Sequence, residues 1–396
     1  MDNKPETNYR WLILILGAAT FTFGVGMPTM CLPVLFKEIS QDLGLSLVQV
    51  GAIWGMGYLP GMVSGLIGGA IGDRFGTKRT LSVFCLLAGL TGASRGLTNG
   101  FISFSITAIL FGFLFTAIPT SVHKMCGVWF SRKQLGLANG VASMGMALGF
   151  MAGSLFSASY LSPWLGGWRN VMFFYGAISI CLSVLWDFTR TAISEQNELA
   201  RAGQMSSFRQ TFVHVIRVKN VWLLGIAILG FSGCVQGMLG YLPLYLRNQG
   251  WAGPLADSVL GTFHGASMVA VLIIALLSDR IGKRKPVLIA AAIMMTIGTG
   301  MMSVAMGIGV WAAVLIAGVI RDGFMAVYMT TIIETKGIGA SFAGTAIGLA
   351  LMFSAIGSLL SPPVGNSLAT FNPALPFVFW SALGIIGVVT LFFVVE

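Results

Sequence analysis

The chain is poor in charge. Of its 396 residues only 9% are Asp, Glu, Lys or Arg, with 13 acids and 3 histidines, whereas a soluble globular domain carries about 25% charged residues. So few charges cannot clothe a water-facing surface of this size, which excludes the soluble fold classes. Cysteines in paired spacing are also missing. Cys31, Cys85, Cys126, Cys181 and Cys234 stand singly inside apolar segments, so neither a disulfide framework nor a zinc site is indicated, and they read as small buried hydrophobes. No nucleophile, base and acid cluster together and no metal-ligand spacing occurs. That argues against an enzyme, and no cofactor or metal is expected.

What fills the chain is apolar: 56% hydrophobic residues, mean hydropathy +0.86, 52 Gly, 28 Phe and 21 Met. A hydrocarbon core about 30 Å thick takes about 20 helical residues per crossing, and small residues let helices approach closely in lipid. Apolar runs predict twelve spans, near 11–36, 47–72, 80–98, 102–123, 136–160, 170–186, 221–246, 255–277, 286–305, 310–332, 341–366 and 374–394. The first run is too long for a signal-peptide core and reads as a span. The expected fold is an all-α membrane protein of twelve transmembrane helices in two pseudo-symmetric six-helix halves. Its parts are a tail (1–10), a first half (11–186), a linker (187–220) and a second half (221–396). In the linker Phe208, Phe212, Val215 and Ile216 recur at helical spacing, predicting a short amphipathic helix on the membrane surface.

Net charge is +10, which in a soluble protein would suggest nucleic acid. Sorting the basic residues by side removes that reading. With both termini inside, eighteen Lys and Arg fall in cytoplasmic segments and three, Lys37, Arg169 and Arg247, in outer loops. This positive-inside bias puts both termini in the cytoplasm, in a cell (inner) membrane protein whose outer partner is the lipid bilayer. No nucleic acid partner is expected.

Between spans two and three lies Gly69 to Arg79, reading Gly-Ala-Ile-Gly-Asp-Arg-Phe-Gly-Thr-Lys-Arg, and a weaker copy runs from Ala275 to Lys285. Asp73 and Asp279 are 206 residues apart, about half the chain, and Gly112 and Gly318 share that offset. Two halves of like topology, related by an axis along the membrane normal, are an arrangement of secondary transporters. With Gly69, Asp73, Arg74, Gly76, Lys78 and Arg79, the chain resembles the major facilitator superfamily. The second copy has Ala275 in place of the leading Gly but keeps Asp279, Arg280, Gly282 and Arg284. The resemblance implies alternating access, with this loop latching the cytoplasmic side. Proton-coupled antiporters of the superfamily carry an Arg four residues before a span-four Gly. Here Ala108 stands there, before Gly112, and Gly145, Gly149 and Gly153 in span five lack the antiporter Gly-Pro pair. Those departures count against drug-proton antiport, and the glycines suit close helix packing.

Charges inside a membrane are costly enough to be site hypotheses. Arg321 lies near the middle of span ten, followed by Asp322, the only acid placed well inside a span. Neighbouring helix positions point about 100° apart, so the two are not expected to pair with each other. Arg321 is the candidate for binding an anion, and Asp322, with His264 as helper, for carrying a coupling proton. The offset of 206 maps His264 onto Tyr58, predicting that both face one cavity. Trp54, Gln236, Tyr241 and Tyr328 are further candidates for its walls, although Tyr and Trp also anchor helices at interfaces. Arg95 is expected to snorkel outward or to make a structural bond. Pro28, Pro33, Pro60, Pro119 and Pro243 can bend spans. The expected activity is secondary transport of a small organic anion, such as a carboxylate, with protons, by a monomer. The alternative is efflux of amphiphilic, drug-like compounds.

Overall fold

The computed structural model describes residues 8–64, 67, 71, 74–190 and 208–395. It is helical throughout, as a chain in hydrocarbon must be when water cannot satisfy its backbone groups. The helices preceding the linker are α1 (Tyr9–Leu43), α2 (Leu47–Met56), α3 (Thr77–Leu97), α4 (Phe101–Trp129), α5 (Arg132–Phe156) and α6 (Trp168–Asp187). Those following it are α7 (Lys219–Asn248), α8 (Gly253–Ile281), α9 (Arg284–Met301), α10 (Ile308–Glu334), α11 (Gly339–Leu368) and α12 (Leu375–Phe392). Among the described residues nine helical stretches are long and apolar enough to cross a membrane by length and composition. This is an integral membrane protein.

Two predicted spans are broken near their middles. α2 begins with a capping box, Ser46 and Gln49 each bonding the other's backbone N–H. It stops at Met56, and a tight turn over Leu59–Met62 carries Pro60, which disfavours helix at the residue before it. α10 breaks at Ile320, whose φ of −99° and ψ of −8° separate Ile308–Val319 from Arg321–Glu334. α1 holds a wide turn over Thr20–Gly26 and runs further than expected, to a left-handed cap at Gly44.

Because the helices alternate in direction, Tyr9 and Phe392 lie at one end, here the termini end, and the α1–α2 and α7–α8 turns at the far end. α1 lies against α5 through Gly145, Gly149 and Gly153, where an added methyl would approach the carbonyls of Ala18, Thr22 and Met27 to 2.5–2.8 Å. The halves meet along α2 with α11 and α5 with α8. At the far end the join is tight. The Asn366 side chain donates to the Leu47 carbonyl (2.8 Å), and Gly55 sits against the Leu359 backbone. Toward the termini end, methyls added at Gly136 and Gly140 of α5, or Gly344 and Gly348 of α11, meet nothing within 4 Å among the described residues. Among the described residues the halves pack tightly at the far end and have more room around these four glycines at the other.

The far-end seal contains an acid that the sequence reading passed over. Asp257, at the start of α8 and 0% exposed, pairs with Arg247 at 2.6 Å and accepts from the Ser159 hydroxyl of α5. Asp257 lies at the mouth of its span rather than well inside it, yet it is more deeply buried than the half-buried Asp322. Removing one member of a buried pair strands the other, typically at a cost of about 3–5 kcal/mol. Arg247→Gln is accordingly expected to lower the thermal unfolding midpoint, and Arg247→Gln with Asp257→Asn to recover much of the loss. Equal midpoints for wild type and the single variant would remove the pair from the seal.

Residues 191–207 of the linker lie outside the described residues. The expected short helix forms at Phe208–Ile216. Val215 turns inward while Phe212 stays exposed, and the His214 ring stacks on Phe342 of α11 at 4.2 Å. This helix is tied to the transmembrane bundle, with its apolar positions divided between inside and outside.

Candidate substrate site

The break in α10 places Arg321 and Asp322 in the first turn of a new helical segment, whose N-terminal dipole favours a carboxylate. Contrary to the sequence expectation, the two pair directly, Arg321 Nη1 to Asp322 Oδ1 at 2.5 Å. The 100° rule holds for side chains leaving a regular helix. After a break the long arginine stem folds back onto its neighbour. Asp322 Oδ2 accepts from the Ser267 hydroxyl (2.7 Å), and the Asp322 N–H donates to the same Ser267 oxygen (3.0 Å). α8 thus holds the carboxylate from the side opposite Arg321.

One turn before Ser267, His264 is 1% exposed and lies between Phe263 (5.2 Å) and Phe150 of α5 (5.4 Å). Its Nε2 is buried and has no hydrogen-bond partner among the described residues. The Arg321 guanidinium lies 5.3 Å from the Phe150 ring, so an element of the first half touches both groups.

On the first-half side, the Trp54 indole donates to the Gln236 carbonyl (2.9 Å) and the Tyr58 hydroxyl to Gln236 Oε1 (2.9 Å). These bonds join α2 to α7 across the halves. Trp54, Tyr58 and Phe115 meet edge to face at 5.5 and 5.9 Å. They wall a cavity of about 20 Å³ that also reaches Thr29, Arg95 and Phe111, enough for a single water. Arg95 does not snorkel. It is 2% exposed, donates from Nη1 to the Pro28 carbonyl (3.0 Å), and lies 3.9 Å from the Phe111 ring. A tight turn at Arg95–Leu97 ends α3 there, and the Phe111 face draws the cation inward.

Trp54, Tyr58, Gln236, His264 and Arg321 are thus brought around the join between the halves. Tyr241 and Tyr328 are engaged elsewhere. The Tyr241 hydroxyl donates to the Pro373 carbonyl (3.2 Å) amid Phe377 and Trp380, and the Tyr328 hydroxyl to the Leu224 carbonyl (2.8 Å). Ser267 and Phe150 were not singled out in the sequence. Ser267 was findable, because it follows His264 at a spacing that shares a helix face.

In the loop motif, Gly69 and Asp73 lie outside the described residues, as does the Asp279 side chain. Gly76 leads into α3 with φ of 83° and Gly282 ends α8 with φ of 68°, left-handed values that favour glycine. Arg74, Arg79 and Arg280 are exposed and Lys78 half-buried. Arg284 reaches Glu334 at the end of α10 (3.3 Å), tying two second-half helices together.

A sequence profile of the Major Facilitator Superfamily matches residues 12–362. The chain belongs to that superfamily. It is a secondary transporter and not an enzyme. Among relatives of this superfamily protein, a gallate transporter of Pseudomonas putida is 21% identical, aligned over 96% of this chain and 90% of that one. A probable galactarate/D-glucarate transporter of Escherichia coli is 24% identical over 46% of this chain and 41% of its own length. A bacterial homologue of the human lysosomal transporter Spinster, solved in an inward-facing, unoccupied conformation, superposes with a TM-score of 0.77 at 16% identity. That match covers 98% of this chain and 95% of the solved one, and it establishes the shared fold.

Proposed function

We propose that this superfamily member moves a small organic anion, a carboxylate, by alternating access with proton coupling. The observation that carries the proposal is the Arg321–Asp322 pair at the α10 break. One guanidinium there serves two possible anions. While Asp322 is ionised it occupies Arg321, and a substrate carboxylate must displace it. Once Asp322 is protonated, Arg321 is released to form a charge-assisted bond with the substrate. Anion and proton therefore load together. His264, whose buried Nε2 has no partner among the described residues, is the candidate to relay that proton. Gallate, galactarate and glucarate, named for two relatives, are carboxylates, which supports this substrate class.

The charge bias of the loops supports cytoplasmic termini, so the loose end opens to the cytoplasm and the sealed end faces out. The loop from Gly69 to Arg79 would latch the cytoplasmic side in the opposite state. Uptake of gallate and glucarate into proteoliposomes under an imposed proton gradient tests the reading. Arg321→Gln is expected to reduce it by about 10- to 100-fold, the range for losing a hydrogen bond to a charged group. Efflux of amphiphilic drugs unaffected by Arg321→Gln, with no carboxylate uptake, would instead reduce the pair to a helix-bonding role within an aromatic cavity.

A further inference from the structure

Ser267 of α8 makes two bonds to one residue of another helix. Its hydroxyl donates to Asp322 Oδ2 at 2.7 Å, and its oxygen accepts from the Asp322 N–H at 3.0 Å. A serine inside a helix commonly turns its hydroxyl back to the carbonyl four residues earlier, here that of Phe263. That carbonyl faces Gly318 of α10, where an added methyl would stand 2.6 Å from its oxygen, and the Ser267 hydroxyl reaches across to α10 instead. The segment Arg321–Glu334 needs such a partner. Its first N–H groups have no acceptor within the helix, and Ile320 before it supplies no side-chain cap. Ser267, fully buried, provides an acceptor from α8, and its other bond fixes how the carboxylate is turned. One oxygen of Asp322 meets Ser267 and the other meets Arg321.

Other charged and titratable groups around Asp322 are few. Arg321 faces it from α10 itself, and His264 lies one turn from Ser267 on α8. α9 carries only Arg284 and Lys285, in its first turn at the termini end, and α11 carries none. α7, whose Phe231 stacks on Phe324, offers Cys234, and that thiol is bonded to Thr299 of α9. α5, whose Phe150 meets Arg321, has its two charges, Arg132 and Lys133, at the termini end. We infer that Ser267 is a positioning residue for proton coupling: it holds Asp322 ionised against Arg321 and so sets how acidic the solution must be before a substrate anion can load. This rests on the proton reading of the Arg321–Asp322 pair and names the residue that tunes it. A hydroxyl bonds a carboxylate about twice as strongly as it bonds a neutral acid, so Ser267 favours the ionised form. Without it, Asp322 takes a proton more readily and Arg321 is released more readily. Removing this contact should therefore tighten substrate binding at alkaline pH, the opposite of what damage to a site does.

The test follows calorimetric binding of gallate and of glucarate to the purified full chain from about pH 5 to about pH 9, a range in which the carboxyl groups of both probes stay ionised. In wild type, affinity is expected to fall as pH rises through a midpoint. Ser267→Ala is expected to move that midpoint about one to two pH units higher, the range for a lost hydrogen bond to a charged group, and so to bind about 10- to 100-fold more tightly than wild type at the alkaline end. Ser267→Thr, which keeps the hydroxyl, should retain the wild-type midpoint. Ser267→Cys, a weaker donor, should move it upward by less, and it carries the test if the alanine variant does not fold. In an Asp322→Asn background Ser267→Ala should move nothing, which assigns the shift to that carboxylate and not to His264. A serine that only caps the helix would weaken binding at every pH when replaced and leave the midpoint in place. An unmoved midpoint, or one moved to lower pH, would overturn the role of Ser267 and leave the Arg321–Asp322 reading standing. Wild-type affinity independent of pH, or no binding of either probe, would overturn both.

Discussion

Asp322→Asn is expected to disconnect transport from the proton gradient. On the proposed reading the carboxylate and the substrate compete for Arg321, held 2.5 Å from Asp322, and a proton decides the competition. The amide keeps the shape and the Ser267 contact but cannot bind a proton or neutralise Arg321. A substrate anion then finds a free guanidinium at every pH. Affinity near neutral pH should rise by about tenfold or more, as expected for a charge-assisted bond no longer opposed by an internal anion. Accumulation driven by a pH gradient should fall to the level seen without one, while exchange of internal for external substrate continues. Proteoliposomes loaded with and without substrate separate the two activities. Gradient-driven accumulation equal to wild type would remove the proton from Asp322.

The second large effect concerns the seal between the halves. At Gly55 in α2 an added methyl would stand 2.3 Å from the Leu359 carbonyl oxygen of α11, with the next nearest atoms also in the Leu359 backbone. Backbone cannot swing aside as a side chain can, so Gly55→Val should push the halves apart at the far end. Because those contacts belong to the other half, the variant should still fold. Overpacking of about 1–3 kcal/mol is equivalent to about a 5- to 150-fold shift against the sealed state. Transport should drop by a similar factor, with substrate binding retained. A cysteine placed at Leu47, beside the Asn366 bond, should react faster with an impermeant maleimide in the variant. Of the native cysteines, Cys31, Cys85, Cys126 and Cys234 are buried, but Cys181, expected from the sequence to be buried too, is exposed, so the labelling is done in a Cys181→Ala background. Unchanged transport and labelling would mean that α2 and α11 need not meet so closely.

The twelve-helix plan was legible because a membrane leaves the chain so few options: apolar runs of the right length must be helices, and charged turns must lie between them. Two halves were legible from the repeat, whose offset maps His264 onto Tyr58, and each of these side chains touches the opposite half, Tyr58 through Gln236 and His264 through Phe150. The breaks were harder to read. Pro60 hints at the one in α2, but α10 has no proline near Ile320. It breaks where Gly318 packs so closely on α8 that an added methyl would lie 2.6 Å from the Phe263 carbonyl oxygen. That is a tertiary contact without a local signature, and it is why Arg321 and Asp322 can pair. For Arg95 the sequence left two outcomes open, snorkelling or a structural bond, and the second is the one seen; the choice was not legible for a related reason. Whether a long cation turns outward or inward depends on what other helices offer, here the Pro28 carbonyl and the Phe111 face. Asp257 was overlooked because an acid at the mouth of a span resembles a loop residue until its partners, Arg247 and Ser159, are seen beside it.

The central claim is that anion and proton bind together at Arg321 and Asp322. Proton uptake on ligand binding measures this directly, with a pH indicator in weakly buffered detergent solution near neutral pH. Wild type is predicted to take up about one proton per Arg321-bound carboxylate and Asp322→Asn none, since binding that favours the protonated form must draw protons from solution. Saturating carboxylate binding to wild type with no proton uptake, or uptake that persists in Asp322→Asn, would contradict it.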